Sequence, residues 1–283
     1  MLNHLPIGIF DSGVGGLTVY RALHERLPNE RFVYLGDTAR VPYGTKSLAT
    51  IERYAIENSR FLAARGVKLL VVACNTASAL ALPAIQNAIK IDVIGMIEPG
   101  ARKAVETGAK RIGVIATEAT IGSRAYAKAI KNFDQQTEVA ETACPLFVPL
   151  AEESWANEPE TASIAAKYLA KIKEAKVEAL VLGCTHYPIL RDVIQKTVGA
   201  SVKLIDSGEA AAETVENLLK NKNLANLTAA QISRPRSLCD DLDHFFVTDA
   251  AERFARVAER FLGSQPARLE AVELWGNDEL RTN

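Results

Sequence analysis

Short apolar runs of strand length recur along this chain, and segments with helical spacing separate them. Residues 7–10, 32–35, 69–73 and 93–96 form one series of such runs, and residues 112–115, 179–182 and 202–205 form a second. Between them, Ile164, Ala165, Tyr168, Leu169 and Ile172 recur at spacings of three and four, as do Phe254, Val257, Ala258, Phe261 and Leu262 near the C-terminus. Strands that alternate with helices predict βαβ units and largely parallel sheets. The fold class is therefore α/β, with helices flanking the sheets.

The chain has 283 residues, enough for two ordinary α/β domains. Pro99-Gly100 follows the first series and reads as a turn at a crossover between domains. Asp206-Ser207-Gly208 closes the second series. A further strand at residues 245–247 and the helix ending near Gly263 come later, so the C-terminal part is expected to return to the first domain. The division is 1–97 with 208–265 for domain one and 98–207 for domain two. Residues 221–236 read as a loop or insertion and 266–283 as a tail, with its last ten or so disordered.

Net charge is −1, which gives no electrostatic footprint for nucleic acid or a membrane surface. No apolar run approaches a membrane span, and the N-terminal residues lack the pattern of a signal peptide. Four cysteines in a chain of this length do not make a disulfide framework. The default location is the cytoplasm.

Two of the strand runs end alike. Val71-Val72-Ala73-Cys74-Asn75-Thr76 and Val181-Leu182-Gly183-Cys184-Thr185-His186 each lead an apolar strand into a cysteine and small polar residues. The end of a parallel strand is where open α/β sheets place ligands. A cysteine there is often only a small buried hydrophobe. Zinc is disfavoured because Cys184 and His186 stand without a Cys-x-x-Cys. A disulfide conflicts with the cytoplasmic reading. The recurrence favours a functional pair, each thiol at a helix start that lowers its pKa from about 8.5 toward neutrality. Two equivalent thiols suit two proton carriers: one removes a proton from one face of a carbon, and the other returns it to the opposite face. That is racemisation or epimerisation.

Other loops sit at the same strand ends. Asp11-Ser12-Gly13-Val14-Gly15-Gly16 follows the first strand and reads as a ligand loop or a tight turn; its glycine spacing is not the dinucleotide fingerprint. Val41-Pro42-Tyr43-Gly44-Thr45 alone reads as a turn. Thr117 reads as a cap of the helix that carries Tyr126, Ile130 and Phe133.

Taken together these strings, with Gly36-Asp37-Thr38, Cys144-Pro145-Leu146-Phe147-Val148-Pro149-Leu150-Ala151-Glu152-Glu153, Gly183-Cys184-Thr185-His186-Tyr187-Pro188 and Phe246-Val247-Thr248-Asp249, resemble the bacterial glutamate racemases of the aspartate/glutamate racemase family. The resemblance runs in order from residue 6 to about 263. It implies two α/β domains with the active site in the cleft between them. It also implies a cofactor-independent enzyme that interconverts L- and D-glutamate and supplies D-glutamate for peptidoglycan. By this resemblance Cys74 and Cys184 are the acid/base pair, Asp11 assists Cys74, and Glu152 and His186 assist Cys184. Glu152 is chosen over Glu153 from its offset to Pro149-Leu150. Substrate contacts fall on Asp11, Ser12, Pro42, Tyr43, Gly44, Asn75, Thr76, Thr117, Thr120, Thr185 and His186. Relatives commonly form homodimers, and some need a cell-wall precursor as activator. A racemase for aspartate, a non-catalytic binder of an acidic metabolite and a cysteine hydrolase remain alternatives.

Cys144 and Cys239 carry no catalytic role in this reading. Serine at either position is expected to leave turnover close to that of the unmodified chain at saturating substrate.

Overall fold

The computed structural model describes residues 2–226 and 236–274. Among the described residues ten strands form two sheets, and every pairing is parallel. In chain order they are β1 (Ile7–Asp11), β2 (Phe32–Gly36), β3 (Leu69–Val72), β4 (Asp92–Ile94), β5 (Arg111–Ala116), β6 (Glu138–Ala143), β7 (Ala179–Gly183), β8 (Lys203–Asp206), β9 (His244–Val247) and β10 (Leu269–Ala271). The first sheet has the order β10-β9-β2-β1-β3-β4 and the second β6-β5-β7-β8.

Helices cover both faces of each sheet, so the central strands β1, β2, β3 and β7 are buried at every residue. That explains why they read as continuous apolar runs rather than as alternating ones. The edge strand β6 (Glu-Val-Ala-Glu-Thr-Ala) is only partly buried, and its polar composition hid it from the periodicity analysis. Strand β10 likewise lies in the stretch expected to be a tail. It pairs with β9 through Leu269, Glu270 and Ala271, so the first sheet reaches beyond residue 265. The expected disorder of the last ten residues and most of the expected 221–236 loop lie outside the described residues; Asn221 itself closes the helix Ser207–Asn221.

Pro99-Gly100 does not form the expected turn. Both lie in the first turns of the helix Ile97–Val105. Proline is tolerated there because its missing N–H has no intrahelical acceptor in the first turn. Gly100 is there for space: a Cβ would meet the Tyr126 ring at 3.2 Å.

The C-terminal helix Ala251–Leu262 buries Phe254, Val257, Ala258, Phe261 and Leu262, the face read from the spacing. Its Phe254 packs within an aromatic cluster, with ring centroids 5.7 Å from Tyr34 and 6.5 Å from Phe245. One apolar cluster runs from this face of the first sheet through Ile9 and Leu17 to Leu180, Leu182 and Tyr187 beside the second. Among the described residues, no helix is long and apolar enough to cross a membrane.

Phe254→Ala would open a cavity where Tyr34, Phe245 and the helix meet. We expect a loss of about 3–5 kcal/mol in stability, read as a lower urea midpoint.

Candidate active site

Each sheet has one place where its strand order reverses next to a central strand. In the first sheet β1 is flanked by β2 and β3, and in the second β5 is flanked by β6 and β7. Loops leave in opposite directions there and open a crevice at the strand C-termini. Asp11 ends β1 and Cys74 follows β3. Thr117 follows β5 and Cys184 follows β7. Both cysteines therefore occupy switch points.

Glycine lets the two crevices meet. A Cβ on Gly15 would collide with Thr185 Oγ1 and lie 2.5 Å from His186 Nδ1. On Gly16 it would lie 2.5 Å from the Asp11 Cβ. The loop after β1 thus presses its backbone against the loop that carries the second cysteine, as only residues without side chains can. Thr18 at the start of the next helix donates to the Thr185 carbonyl at 2.8 Å. A second bridge forms where Gly44 abuts Thr117, at 3.0 Å from a Cβ on Gly44 to the Thr117 Cβ. Beside it, the hydroxyls of Thr76, Thr117 and Thr120 cluster at 2.9–3.2 Å. Thr117 caps only the short helix Glu118–Ser123, its Oγ1 accepting from the Thr120 N–H at 3.4 Å; the helix Ala125–Phe133 with Tyr126, Ile130 and Phe133 is a separate one, because Arg124 turns left-handed between them. Thr117 reaches across to the first sheet's Thr76 as well.

Cys74 stands at the start of the short helix Asn75–Leu80, and its Sγ accepts from the Ala77 N–H at 3.5 Å. The expected fall of its pKa toward neutrality does not occur. Burial, reinforced by the Asp11 charge, pushes the thiol up to about 12. The contacts from Ser12 and the Ala77 N–H pull the other way and are outweighed. Asp11 is itself buried and shifted upward by that burial. Its Oδ2 accepts from the Gly13 N–H at 3.0 Å, while its buried Oδ1 has no hydrogen-bond partner among the described residues.

The second cysteine is differently equipped. Its carbonyl accepts from Tyr187 N–H at the start of the single 3-10 turn Tyr187–Leu190, so no α-helix begins directly at the thiol. Its Sγ lies 3.9 Å from His186 Nδ1. His186 Nε2 lies 3.1 Å from Glu152 Oε1. Burial alone would strip the proton from His186, but its contacts with Cys184 and Glu152 win and raise its pKa to about 10. Glu152 is held below the usual carboxylate range: burial works against this, and the His186 contact and Arg253 outweigh it.

The arginines come from the C-terminal helix. Arg253 donates to Glu152 Oε2 at 3.0 Å, and Arg260 donates to the Glu152 carbonyl at 3.1 Å. Phe261 of the same helix packs edge-on against His186, with centroids 6.2 Å apart. Neither arginine stands out in the sequence, because their partner lies about a hundred residues away in the chain. Glu153 is exposed.

Of the residues singled out from the sequence, Tyr43 is turned away. Its hydroxyl is taken by Asp37 and by Asn58, the latter donating at 2.9 Å. Asp37 also accepts from Arg40 and Thr248, and this buried network anchors the 42–44 loop. Pro42 is exposed beside it. Cys144 is buried close enough to Cys184 for the latter's charge to add to the rise that burial imposes on its thiol. Cys239, expected in a polar stretch, is buried too. Among the described residues no group of His, Cys, Asp and Glu is arranged to hold a metal ion.

Residues 7–215 match the model of the Asp/Glu/Hydantoin racemase family. The chain belongs to that family. A protein named glutamate racemase from Geobacter metallireducens is 51% identical over 274 residues, covering 96% of this chain and 98% of that one. A crystal structure of the Francisella tularensis glutamate racemase in complex with D-glutamate superposes with a TM-score of 0.87 at 40% identity, covering 96% of this chain and 98% of that one. The Escherichia coli glutamate racemase, solved with L-glutamate and the activator UDP-MurNAc-Ala, gives a TM-score of 0.76 at 28% identity, over 96% of this chain and all of that one.

Replacing Glu152 with Gln removes one of the two contacts that raise the pKa of His186. The imidazole should then titrate below about 10 and toward its ordinary value, as followed by NMR. Because the folded pKa is raised, the pair stabilises the protein fully below the ordinary histidine pKa and loses this contribution as pH rises through about 10. The melting-temperature deficit of Glu152→Gln should therefore shrink above that pH.

Proposed function

We propose that this chain is a cofactor-independent glutamate racemase that moves the α-proton between two cysteines. One observation carries the reading. Two thiols sit at the switch points of two facing sheets, and each has its own ionisable neighbours: Asp11 at Cys74, and His186 with Glu152 at Cys184. A binder of an acidic metabolite has no use for that arrangement. The substrate assignment is supported by the glutamate racemases to which the chain is similar over nearly its whole length.

The α-proton of an amino acid is a weak acid, so the site must stabilise the developing carbanion with fixed donors. Thr76, Thr117, Thr120, Asn75 and Thr185 supply hydroxyl, amide and backbone groups that meet carboxylates without adding a titrating charge. Ser12 and the backbone of Pro42, Tyr43 and Gly44 line the same cleft in this reading. The unpartnered Oδ1 of Asp11 suits the α-ammonium. From L to D, Cys184 takes the proton and His186 with Glu152 balances its charge. Cys74, whose raised pKa keeps it a thiol at neutral pH, delivers a proton to the opposite face. The reverse reaction exchanges the roles.

In this reading the chain folds as one unit from 1–97 with 208–265 and a second from 98–207, and closure between them excludes water from the carbanion. The product feeds peptidoglycan synthesis in the cytoplasm. Neither a homodimer nor a cell-wall activator is needed for the chemistry as drawn. UDP-MurNAc-Ala, the activator of the E. coli relative, is the additive to include if glutamate alone gives no turnover.

In deuterated water the enzyme should erase the α-proton signal of L-glutamate while optical rotation decays to zero. Cys74→Ser and Cys184→Ser should each lower racemisation by at least about a thousandfold. Full activity in either variant would sink the two-thiol mechanism. Faster turnover of aspartate than of glutamate would sink the substrate assignment.

A further inference from the structure

Tyr126 has been given no part in the chemistry so far, yet it touches both cysteine loops. It lies on the helix Ala125–Phe133 and is 1% exposed. Its ring fills the space left by two glycines. A Cβ on Gly183 would lie 2.9 Å from Tyr126 Cε2, and one on Gly100 would lie 3.2 Å from its Cε1. Gly183 directly precedes Cys184. The phenol donates to Asn75 Oδ1 at 2.6 Å, and Asn75 directly follows Cys74. Asn75 Nδ2 faces Ser207 Oγ at 3.4 Å, and that hydroxyl donates to the Leu182 carbonyl at 3.1 Å, two residues before Cys184.

We propose that Tyr126 is a positioning residue that orients the Asn75 amide toward substrate and keeps the Cys74 loop in register with the Cys184 loop. A carboxamide has a donor end and an acceptor end of nearly equal shape, and only its partners decide which way it faces. The phenol takes the oxygen. Nδ2 gives one N–H to Ser207 Oγ at 3.4 Å, and its second N–H is left to donate, which is what a carboxylate needs. A flipped amide would set its oxygen against the substrate's negative charge. Burial raises the phenol's pKa, so it remains a donor throughout the working range. The ring itself can pack only because residues 100 and 183 are glycine, so the tyrosine and the chain just before Cys184 are fitted to each other. The inference rests on Asn75 as a substrate contact.

Tyr126→Phe keeps the ring in both glycine slots and removes a single oxygen, so the fold is retained. The KM for both glutamate enantiomers should rise about tenfold, with kcat falling less than about threefold, the pattern of a lost binding contact. A ring that served packing alone would leave KM unchanged, and that result overturns the proposal. In an Asn75→Ala background the same change should add less than about twofold, whereas losses that multiply would show that the two residues act independently and also overturn it. Calorimetric titration with D-glutamate reads the contact without turnover, and about tenfold weaker binding by Tyr126→Phe is expected. A wild-type chain that binds but does not racemise refutes the reaction, and the affinity ratio still decides the role of Tyr126: equal affinities overturn it. A wild-type chain that neither binds nor turns over glutamate overturns both.

Discussion

The contact between the Gly15 backbone and the Thr185–His186 loop sets the geometry on which the rest of the site depends. The two sheets bring their switch points together only if the loop after β1 can lie flat against the loop after β7, and no side chain fits between them. Thr18 then ties its hydroxyl to the Thr185 carbonyl, and the Thr76–Thr117–Thr120 cluster closes the far side. Packing of this kind is local and stiff. An added methyl at residue 15 would push one cysteine loop away from the other without disturbing either sheet.

Within that frame the two thiols are chemically unlike, although their strings look alike. Cys74 is buried beside a carboxylate that is itself poorly hydrated, and both effects oppose its ionisation. Cys184 lies beside an imidazole that retains its proton well above neutral pH, because its contacts with Cys184 itself and with the Glu152 carboxylate, which Arg253 holds, outweigh its burial. In the proposed mechanism a symmetric reaction is thus run by an asymmetric site. One side holds a proton by desolvation, and the other holds it through a relay of charge.

How much of this was legible in the sequence depended on burial. Strands β1, β3 and β7 are covered on both faces, so their apolar runs could be read directly. β6 is a polar edge strand, and β10 is three residues within a polar stretch, so neither shows as an apolar run. Cys74, Cys184 and Asp11 stood out because they directly follow apolar strands. The pKa of Cys74 could not be read that way: its helix-start position favours a thiolate, and the burial that outweighs it appears only once the chain is folded. Arg253 and Arg260 lie on the exposed side of an amphipathic helix, where arginine is unremarkable; only the fold carries them to Glu152. Tyr126 looked like one more apolar position on its helix, and its value lies in the hydroxyl that meets Asn75.

The return of the chain after residue 208 has a consequence for biosynthesis. Both cysteines, both switch points and the glycine loop have been synthesised once about two hundred residues are made. Strand β2 nevertheless keeps an open edge until His244–Val247 arrives to pair with it. The arginines that hold Glu152 come later still. A nascent or truncated chain that carries every proton-transferring group would therefore still lack the clamp on one of them. Assembly of the site waits on the helix Ala251–Leu262, which brings both arginines to Glu152.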